Sequence, residues 1–371
     1  MKESLREAAG SLMVVGLGGT ELTALERAWL KLVRPAGIIL FQRNIADARQ
    51  ARALLAKATS LCVPHCATFV DLEGGTVDRL RDVLAPLPSV EAVARAARKQ
   101  GHAGLAREHG ELVARAVKAF GFNSSLAPVL DLGLPESRKV METRCAATNA
   151  AGVVAYAREF LAGLAVQGVA GCGKHFPGLG GGTLDSHLGT PSIRRTWQQL
   201  WREDLEPYRA LRRQMPMVMV NHAAYPLTAD RKRPASVSGF WVNRVLRRRV
   251  GYRGIVVSDD LEMGGVTKFM PMEQAAVEAV RVGCEILLIC HHPEPILSVY
   301  ESLLAEGESS PAFQRVLLAR ARESARKRVK AFRAGMPPAL SQKQFEALRA
   351  QILCFGDTVE RAARTQETAN A

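Results

Sequence analysis

Short apolar runs rich in β-branched residues recur along the chain and alternate with longer stretches that place Ala, Leu and Arg at helical spacing. The runs number eight and lie at 12–16, 37–41, 66–71, 124–130, 169–174, 217–221, 254–258 and 285–290. The stretches between them predict helices at 21–33, 46–60, 89–119, 149–167, 195–213, 238–250 and 272–282. Strand-helix alternation predicts an α/β protein with a parallel sheet, and eight units indicate closure into one (β/α)8 barrel of the TIM type.

An open, doubly wound sheet is the alternative arrangement of the same elements. The first turn, at 16–20, reads GLGGT and is weakly similar to a dinucleotide-binding fingerprint. The third glycine of that fingerprint is absent, and no acidic residue follows the second strand. We therefore interpret the segment as a tight turn.

Titratable residues stand where the apolar runs end, which is where barrel enzymes carry their catalytic loops. The polar ends are Asp71 with Glu73, Asp131, Lys174-His175, Asn221-His222, Asp259-Asp260 and His291-His292. Strands that finish in charged groups would build a poor core, but they suit a ring of polar groups around a sugar-sized cleft. The pattern therefore predicts a carbohydrate site.

The composition is that of an ordinary globular protein, with 47% hydrophobic and 23% charged residues in 371. A net charge of +14 raises nucleic-acid binding as a minor alternative. The arginines are scattered, however, and the dense run at 247–249 ends a predicted helix, where cations complement the helix dipole. We expect no nucleic-acid partner, although the field would attract an acidic small molecule.

The seven cysteines are an odd number spread over the chain, which does not suggest a disulfide framework and indicates a reducing compartment. Cys62 and Cys66 lack a second pair at ligand spacing, so no metal is expected. The N-terminal apolar run is too short and too interrupted by glycine for a signal peptide or membrane span. We expect a cytoplasmic protein with no membrane partner.

The C-terminal part reads differently from the alternating units. Residues 311–334 predict a long basic helix, and Gly335 with Pro337-Pro338 marks a break. The weakly amphipathic stretch that follows could pack across the barrel. We predict a catalytic barrel over 1–335 and a helical extension over 336–371.

Five segments occur together in this chain: DLEGGTVDRL (71–80), LAPVLDLG (126–133), KHFPGLGGGTLDSH (174–187), RPASVS (233–238) and GIVVSDDLEM (254–263). In order and spacing they resemble family 3 glycoside hydrolases. More narrowly, they are similar to the single-domain cytoplasmic β-N-acetylglucosaminidases of bacterial cell-wall recycling, which remove N-acetylglucosamine from anhydromuropeptides. The resemblance extends from residue 11 to about residue 300.

This resemblance implies a catalytic set of Asp259, His187 and Asp185. Asp259 matches the nucleophile that forms a covalent glycosyl-enzyme, so that the configuration is retained after a second inversion. His187 matches the general acid/base, with Asp185 orienting its ring. The neighbouring carboxyl of Asp260 is expected on the opposite face, because side chains alternate along a strand.

The resemblance also implies a set of sugar-binding residues: Asp71, Arg79, Arg144, Lys174, His175, His222 and Met263. Carboxylates accept hydroxyl hydrogen bonds, and Lys and Arg donate to sugar oxygens. Arg79 is the one most expected to pair with Asp71 or Glu73 instead of the sugar. His222 and Met263 are expected to line the same pocket. No cofactor is implied, because side chains supply the acid, the base and the nucleophile.

The chain departs from the family pattern at two places. Leu179 stands where the family usually has a second His, and Thr143 and Cys145 flank Arg144 where an acidic residue and Ser are usual. The glycine run at 180–182 would suit a hinged loop, although turn glycines look the same. These departures keep two alternatives open: a sugar-binding relative without catalysis, and a phosphorylase in which phosphate replaces water. The sequence carries no signal for the oligomeric state.

Overall fold

Eight parallel strands close into a barrel in the order β1-β10-β9-β8-β7-β6-β3-β2. The computed structural model describes residues 4–101, 104–182, 190–332 and 335–364. The barrel strands are β1 (Met13–Gly16), β2 (Gly37–Ile39), β3 (Ala67–Val70), β6 (Ser124–Ser125), β7 (Ala170–Phe176), β8 (Met217–Val220), β9 (Ile255–Asp260) and β10 (Ile286–Ile289). All eight lie within or overlap the predicted runs, so the barrel prediction is confirmed and the open sheet is excluded.

Helices surround the barrel and connect its strands. They are α1 (Leu5–Gly10), α2 (Ala24–Val33), α3 (Ala48–Thr59), α4 (Val90–Gln100), α5 (Gly104–Ala119), α6 (Arg138–Met141), α7 (Ala150–Val166), α8 (Trp197–Gln199), α9 (Glu206–Leu211), α10 (Gly264–Thr267), α11 (Met272–Val282), α12 (Pro293–Ser309), α13 (Pro311–Ala331) and α14 (Gln342–Arg364). Two π-helices, Leu200–Asp204 and Phe240–Arg249, interrupt this series.

Burial explains why the strands are short apolar runs. Residues of the barrel strands are buried on both faces, because one face fills the barrel and the other meets the helices. The interior cluster consists mainly of Val14, Ile39, Phe69, Leu126, Cys172, Met217, Met219, Ile255, Val257, Ile286 and Leu288. Phe332, just after α13, joins this cluster and packs edge-on against Phe69 with ring centroids 6.2 Å apart.

The glycine-rich first turn is a tight turn, as predicted. The Gly18 amide donates to Oε1 of Glu26 at 2.8 Å, and Oε2 of the same carboxylate accepts from the Thr23 amide at 2.8 Å. Glu26 therefore caps the start of α2 and holds the turn at once. The Gly18 amide, which lies in the turn that a dinucleotide phosphate would occupy, is thus already engaged with a carboxylate.

The helix predicted at 89–119 is two helices. Gly101, in the left-handed region with φ of 62°, ends α4 by donating its amide to the carbonyl oxygens of Ala97 and Arg98. The run through 89–119 kept its helical spacing across this break, so the apolar pattern alone concealed it. A two-stranded hairpin, β4 (Leu72–Gly74) with β5 (Val77–Asp78), also follows β3 and was not predicted.

The C-terminal region forms two helices. The basic helix predicted at 311–334 is α13, which ends at Ala331. In α14, Leu348, Ile352, Phe355 and Val359 are buried. This face packs against α4 and α5, and the Phe355 ring stacks on His109 with centroids 5.9 Å apart. In the part of the chain that is described, no helix combines the length and apolarity that a membrane crossing requires.

Candidate active site

A cavity of about 400 Å³ opens where the barrel strands end. This is the end at which barrel enzymes carry their chemistry, and the volume suits a small molecule. Its walls include seven of the predicted site residues: Asp71, Arg79, Arg144, Lys174, His175, Asp259 and Met263. The strand ends therefore bring these separate motifs together.

Lys174 lies at the centre of a buried charge cluster. Its Nζ is 2.8 Å from Oδ1 of Asp71, which follows β3, and 2.6 Å from Oε1 of Glu73 in β4. The Lys174 side chain is 3% exposed and that of Glu73 is fully buried. The unpredicted hairpin thus inserts Glu73 beneath the cavity, where it fixes the lysine.

Arg144 completes the cluster through a bidentate pair with Glu73. Its Nε and Nη2 donate to the two carboxylate oxygens, each at 2.8 Å. Arg144 is therefore the arginine that pairs with Glu73, whereas the charge of Arg79 acts on Asp71. Arg79 lies on the cavity wall with its buried Nε unpartnered among the described residues.

Throughout the cluster, neighbouring opposite charges shift the pKa values of the ionisable groups further than burial does. Burial would raise the pKa of Asp71, but Lys174 and Arg79 lower it further than burial raises it. Burial likewise opposes ionisation of Glu73, yet Arg144 and Lys174 bring its pKa well below the usual range. The pKa of Lys174 is raised, because the two carboxylates outweigh its burial. All of these groups are therefore ionised at neutral pH.

His175 is oriented by Asp131, which stands at the end of the 126–133 segment. His175 Nδ1 lies 2.7 Å from Oδ2 of Asp131, and Nε2 faces Nη2 of Arg144 at 3.4 Å. A guanidinium can only donate, so Nε2 is the acceptor and Nδ1 carries the proton toward Asp131. The other oxygen of Asp131 accepts from the Leu179 amide at 2.7 Å.

Asp259 and Asp260 both line the cavity. The expectation that alternation would turn Asp260 away is wrong, because β9 bulges: Val257 pairs with Ile286, but Asp260 pairs with Leu288. Three residues of β9 advance against two of β10, which breaks the alternation. The two carboxylates still differ, because Oδ2 of Asp260 is 3.2 Å from Nε2 of His291.

The rim of the cavity contains groups that the sequence analysis did not assign. His291 Nδ1 lies 3.3 Å from Nη1 of Arg43, and the Arg43 guanidinium stands 4.8 Å from the centroid of the Phe41 ring. The hydrogen bond that His291 donates to the Asp260 carboxylate raises the pKa of His291. Polar residues at 42–44 directly follow the second apolar run, and this signal could have identified Arg43.

His222 does not line the cavity, contrary to expectation. It is fully buried, with Nδ1 2.7 Å from Oγ of Ser236 and Nε2 2.9 Å from the carbonyl oxygen of Asp260. Burial lowers its pKa, so it is neutral at pH 7. Its position is that of a support beneath the carboxylate-bearing strand β9.

An apolar wall stands where the family pattern has a second His. Leu179 packs against the buried cluster of Val129, Met141 and Cys145, and both Leu179 and Met141 face the cavity. The replacement therefore extends an apolar surface of the cavity.

Asp185 and His187 lie outside the described residues, which stop at Gly182 and resume at Thr190. Their roles stay predictions. Within the described parts of the chain, no group of three or more His, Cys, Asp or Glu side chains could hold a metal ion.

Comparison with known proteins gives consistent matches. Residues 4–320 match the glycosyl hydrolase family 3 N-terminal domain. The chain is 38% identical over 294 residues to a beta-hexosaminidase of Alkalilimnicola ehrlichii, covering 78% of this chain and 84% of that one. It is 33% identical over 308 residues to a beta-hexosaminidase of Idiomarina loihiensis, covering 82% and 92%.

Solved structures agree with these relatives. A family 3 β-N-acetylglucosaminidase from Paenibacillus superposes with a TM-score of 0.83 and 30% identity, over 94% of this chain and 68% of that one. NagZ from Neisseria gonorrhoeae in complex with N-trifluoroacetyl-D-glucosamine gives a TM-score of 0.77 and 28% identity, over 93% and 97% of the two chains.

Proposed function

The chain belongs to glycosyl hydrolase family 3 and is a β-N-acetylhexosaminidase, and from this premise we propose that it removes terminal β-linked N-acetylglucosamine with retention through a covalent intermediate on Asp259. The observation that carries the proposal is the position of the Asp259 carboxylate in the cavity wall, in the same cavity as Asp71, Lys174 and Arg144. A nucleophile must face the anomeric carbon while polar groups hold the sugar ring.

Asp259 suits the nucleophile better than its neighbour. The Asp259 carboxylate accepts from the Asp260 amide at 3.0 Å, whereas the Asp260 carboxylate is engaged with His291 and with the Glu262 amide at 3.2 Å. An oxocarbenium-like transition state requires a negative charge close to the anomeric carbon. In the second step, water attacks the glycosyl ester and restores the original configuration.

We assign the general acid/base to His187, with Asp185 holding its ring. A protonated imidazole gives its proton to the leaving oxygen in the first step and, once neutral, takes one from the attacking water in the second. This assignment depends on the sequence motif Asp-Ser-His at 185–187.

The sugar would be bound by the charged end of the cavity. Lys174, Arg144 and Arg79 offer donors, and Asp71 offers an acceptor; His175 lines the same wall with Nε2 as an acceptor. The ion pairs between these residues hold their side chains in place before a ligand arrives. Binding therefore costs little side-chain conformational entropy. The apolar wall at Leu179, Met141 and Met263 would contact the less polar parts of the ligand.

The substrate class that we propose is N-acetylglucosamine linked to anhydro-N-acetylmuramic acid, with or without its peptide, derived from peptidoglycan. These fragments carry carboxylates, and the net charge of +14 attracts anions. Arg43 at the cavity rim offers a cation on the path of such a ligand. We place the reaction in the cytoplasm, and the seven free cysteine thiols agree with a reducing compartment.

Release of nitrophenol from its β-N-acetylglucosaminide tests the proposal, with the β-glucoside and β-xyloside measured in parallel. We expect the N-acetyl substrate to be preferred and Asp259→Ala to abolish turnover while the protein stays folded. A wild-type protein that binds N-acetylglucosamine without turnover would support the binding-protein alternative. Formation of a sugar phosphate when inorganic phosphate is added would show that the protein is a phosphorylase and not a hydrolase.

A further inference from the structure

We propose that Asp204, acting through Arg195, joins the two described stretches of chain that flank the segment 183–189, and that acid/base catalysis requires this junction. This inference rests on the proposed function, because the segment contains Asp185 and His187, which we assign to acid/base catalysis. Asp204 is a positioning residue in this account. It lies in the π-helix Leu200–Asp204, outside the cavity wall.

The stretch before the segment packs against the Asp204 side chain at Gly178. Gly178 has φ of 135°, and a Cβ placed on it would be 2.9 Å from Cβ of Asp204 and 3.0 Å from its Oδ1. Only a glycine permits this approach. The Gly178 carbonyl oxygen also accepts from the Tyr225 hydroxyl at 2.8 Å, so the chain is fixed here on two sides.

The stretch after the segment reaches the same carboxylate through Arg195. Nε of Arg195 donates to Oδ2 of Asp204 at 2.7 Å. The aliphatic stem of Arg195 covers Gly181, where an added Cβ would be 3.0 Å from Cδ of the arginine. Ile193 meets Gly182 in the same way, at 2.8 Å from Cδ1. Close packing between the two flanks thus explains Gly181 and Gly182, whereas Gly180 packs on the Leu132 backbone, with an added Cβ 2.4 Å from its carbonyl oxygen.

Burial of the Asp204 carboxylate is energetically unfavourable. Asp204 is 1% exposed, and its buried Oδ1 has no hydrogen-bond partner among the described residues. Burial raises its pKa to about 7 even though Arg195 opposes that shift. Hydrophobic replacements of a buried ion pair are often as stable as the pair, so its presence favours a positional role over a stabilising one. A π-helix turn, which is frequent near functional sites, carries it.

Substrates that differ in leaving group distinguish a positional role from a merely structural one. A dinitrophenolate departs without protonation, whereas an unsubstituted phenol needs the general acid, so loss of acid catalysis affects mainly the phenyl glycoside. We would measure kcat/KM for both β-N-acetylglucosaminides in wild type, His187→Ala, Asp204→Asn and Arg195→Lys. Glu203→Gln is the matched control, because this half-exposed carboxylate pairs with the same arginine.

We expect Asp204→Asn and Arg195→Lys to reduce kcat/KM for the phenyl glycoside by about ten- to a hundredfold more than for the dinitrophenyl glycoside, in the direction of His187→Ala. Glu203→Gln should stay within about twofold of wild type, since exposed ion pairs contribute little. Thermal unfolding and circular dichroism would confirm that each variant is folded. If Asp204→Asn does not fold, Arg195→Lys still tests the proposal.

Equal losses for the two substrates, or no loss, would overturn the positioning role while leaving the proposed function intact. If His187→Ala itself shows no dependence on the leaving group, the acid/base assignment fails instead. The inference about Asp204 would then fail with it.

Discussion

Glu73 gives the most quantitative test of the charge cluster beneath the cavity. Its side chain is fully buried and accepts from both Nε and Nη2 of Arg144 while holding Lys174 at 2.6 Å. Glu73→Gln keeps the shape but leaves two buried cations with one carboxylate, Asp71, between them. Removing one partner of a buried pair costs about 3–5 kcal/mol, so we expect the free energy of unfolding to fall by that amount.

Urea unfolding at pH 7 measures this change. Glu111→Gln provides the control, because Arg107 and Glu111 form an exposed i,i+4 pair with side chains 47% and 37% exposed. That pair should contribute about 0.3–0.5 kcal/mol. We also expect a lower kcat/KM in Glu73→Gln, because Lys174 and Arg144 lose the group that orients them.

The pH dependence has a definite sign. The folded-state pKa of Glu73 lies below its ordinary value of 4.5, so the stabilisation is complete above that value and is lost as the pH falls toward the folded-state pKa. Wild type and Glu73→Gln should therefore differ by the same amount at pH 7 and pH 6, and should converge in acid. A variant within about 1 kcal/mol of wild type at pH 7 would refute the view that the cluster is desolvated and tightly paired.

Three further predictions concern single positions. His222→Ala should lower the free energy of unfolding by about 1–3 kcal/mol, because this buried imidazole is hydrogen-bonded. Its pKa is lowered from 6.5, so the cost should be the same at pH 8 and pH 9, where the imidazole is neutral in both the folded and the unfolded state, and should change only as the pH falls to 6.5 and below. A cost that differs between pH 8 and pH 9 would contradict this. Gly178→Ala should reduce both the free energy of unfolding and kcat/KM. Gly251 also has a positive φ, but no atom lies within 4 Å of a Cβ added to it, so Gly251→Ala should cost only about 1 kcal/mol and leave kcat/KM unchanged. Equal effects at the two glycines would contradict the close packing at Gly178. Phe355→Ala should lower the thermal midpoint, since truncating a buried Phe costs about 3–5 kcal/mol and this ring docks α14 on His109; an unchanged midpoint would show that α14 contributes little to the fold.

The fold could be predicted because the strand signal is local. A strand buried on both faces must be a short apolar run, and a barrel enzyme ends such runs in polar loops, so both features are visible without any contact information. The break at Gly101, where φ is 62°, was not predicted, because the apolar spacing continues through it.

The site was predicted as a set of residues but not as a set of pairs. Each motif indicated which side chains reach the cavity, whereas the choice of Arg144 over Arg79 for Glu73 depends on the hairpin that follows β3. Asp260 reaches the cavity because of a β-bulge, a feature that depends on the register with β10. His222 is polar at a strand end and still serves as a buried support.

Covalent trapping tests the central claim most directly. The enzyme would be mixed with a dinitrophenyl N-acetylglucosaminide fluorinated on the sugar ring, quenched in acid, digested and analysed by mass spectrometry, with Asp259→Ala and Asp260→Ala in parallel. We predict a fluorinated N-acetylhexosaminyl adduct on the peptide that contains Asp259, with dinitrophenolate released; the adduct should be present in wild type and Asp260→Ala and absent from Asp259→Ala. An adduct on another residue, or turnover by Asp259→Ala, would contradict it.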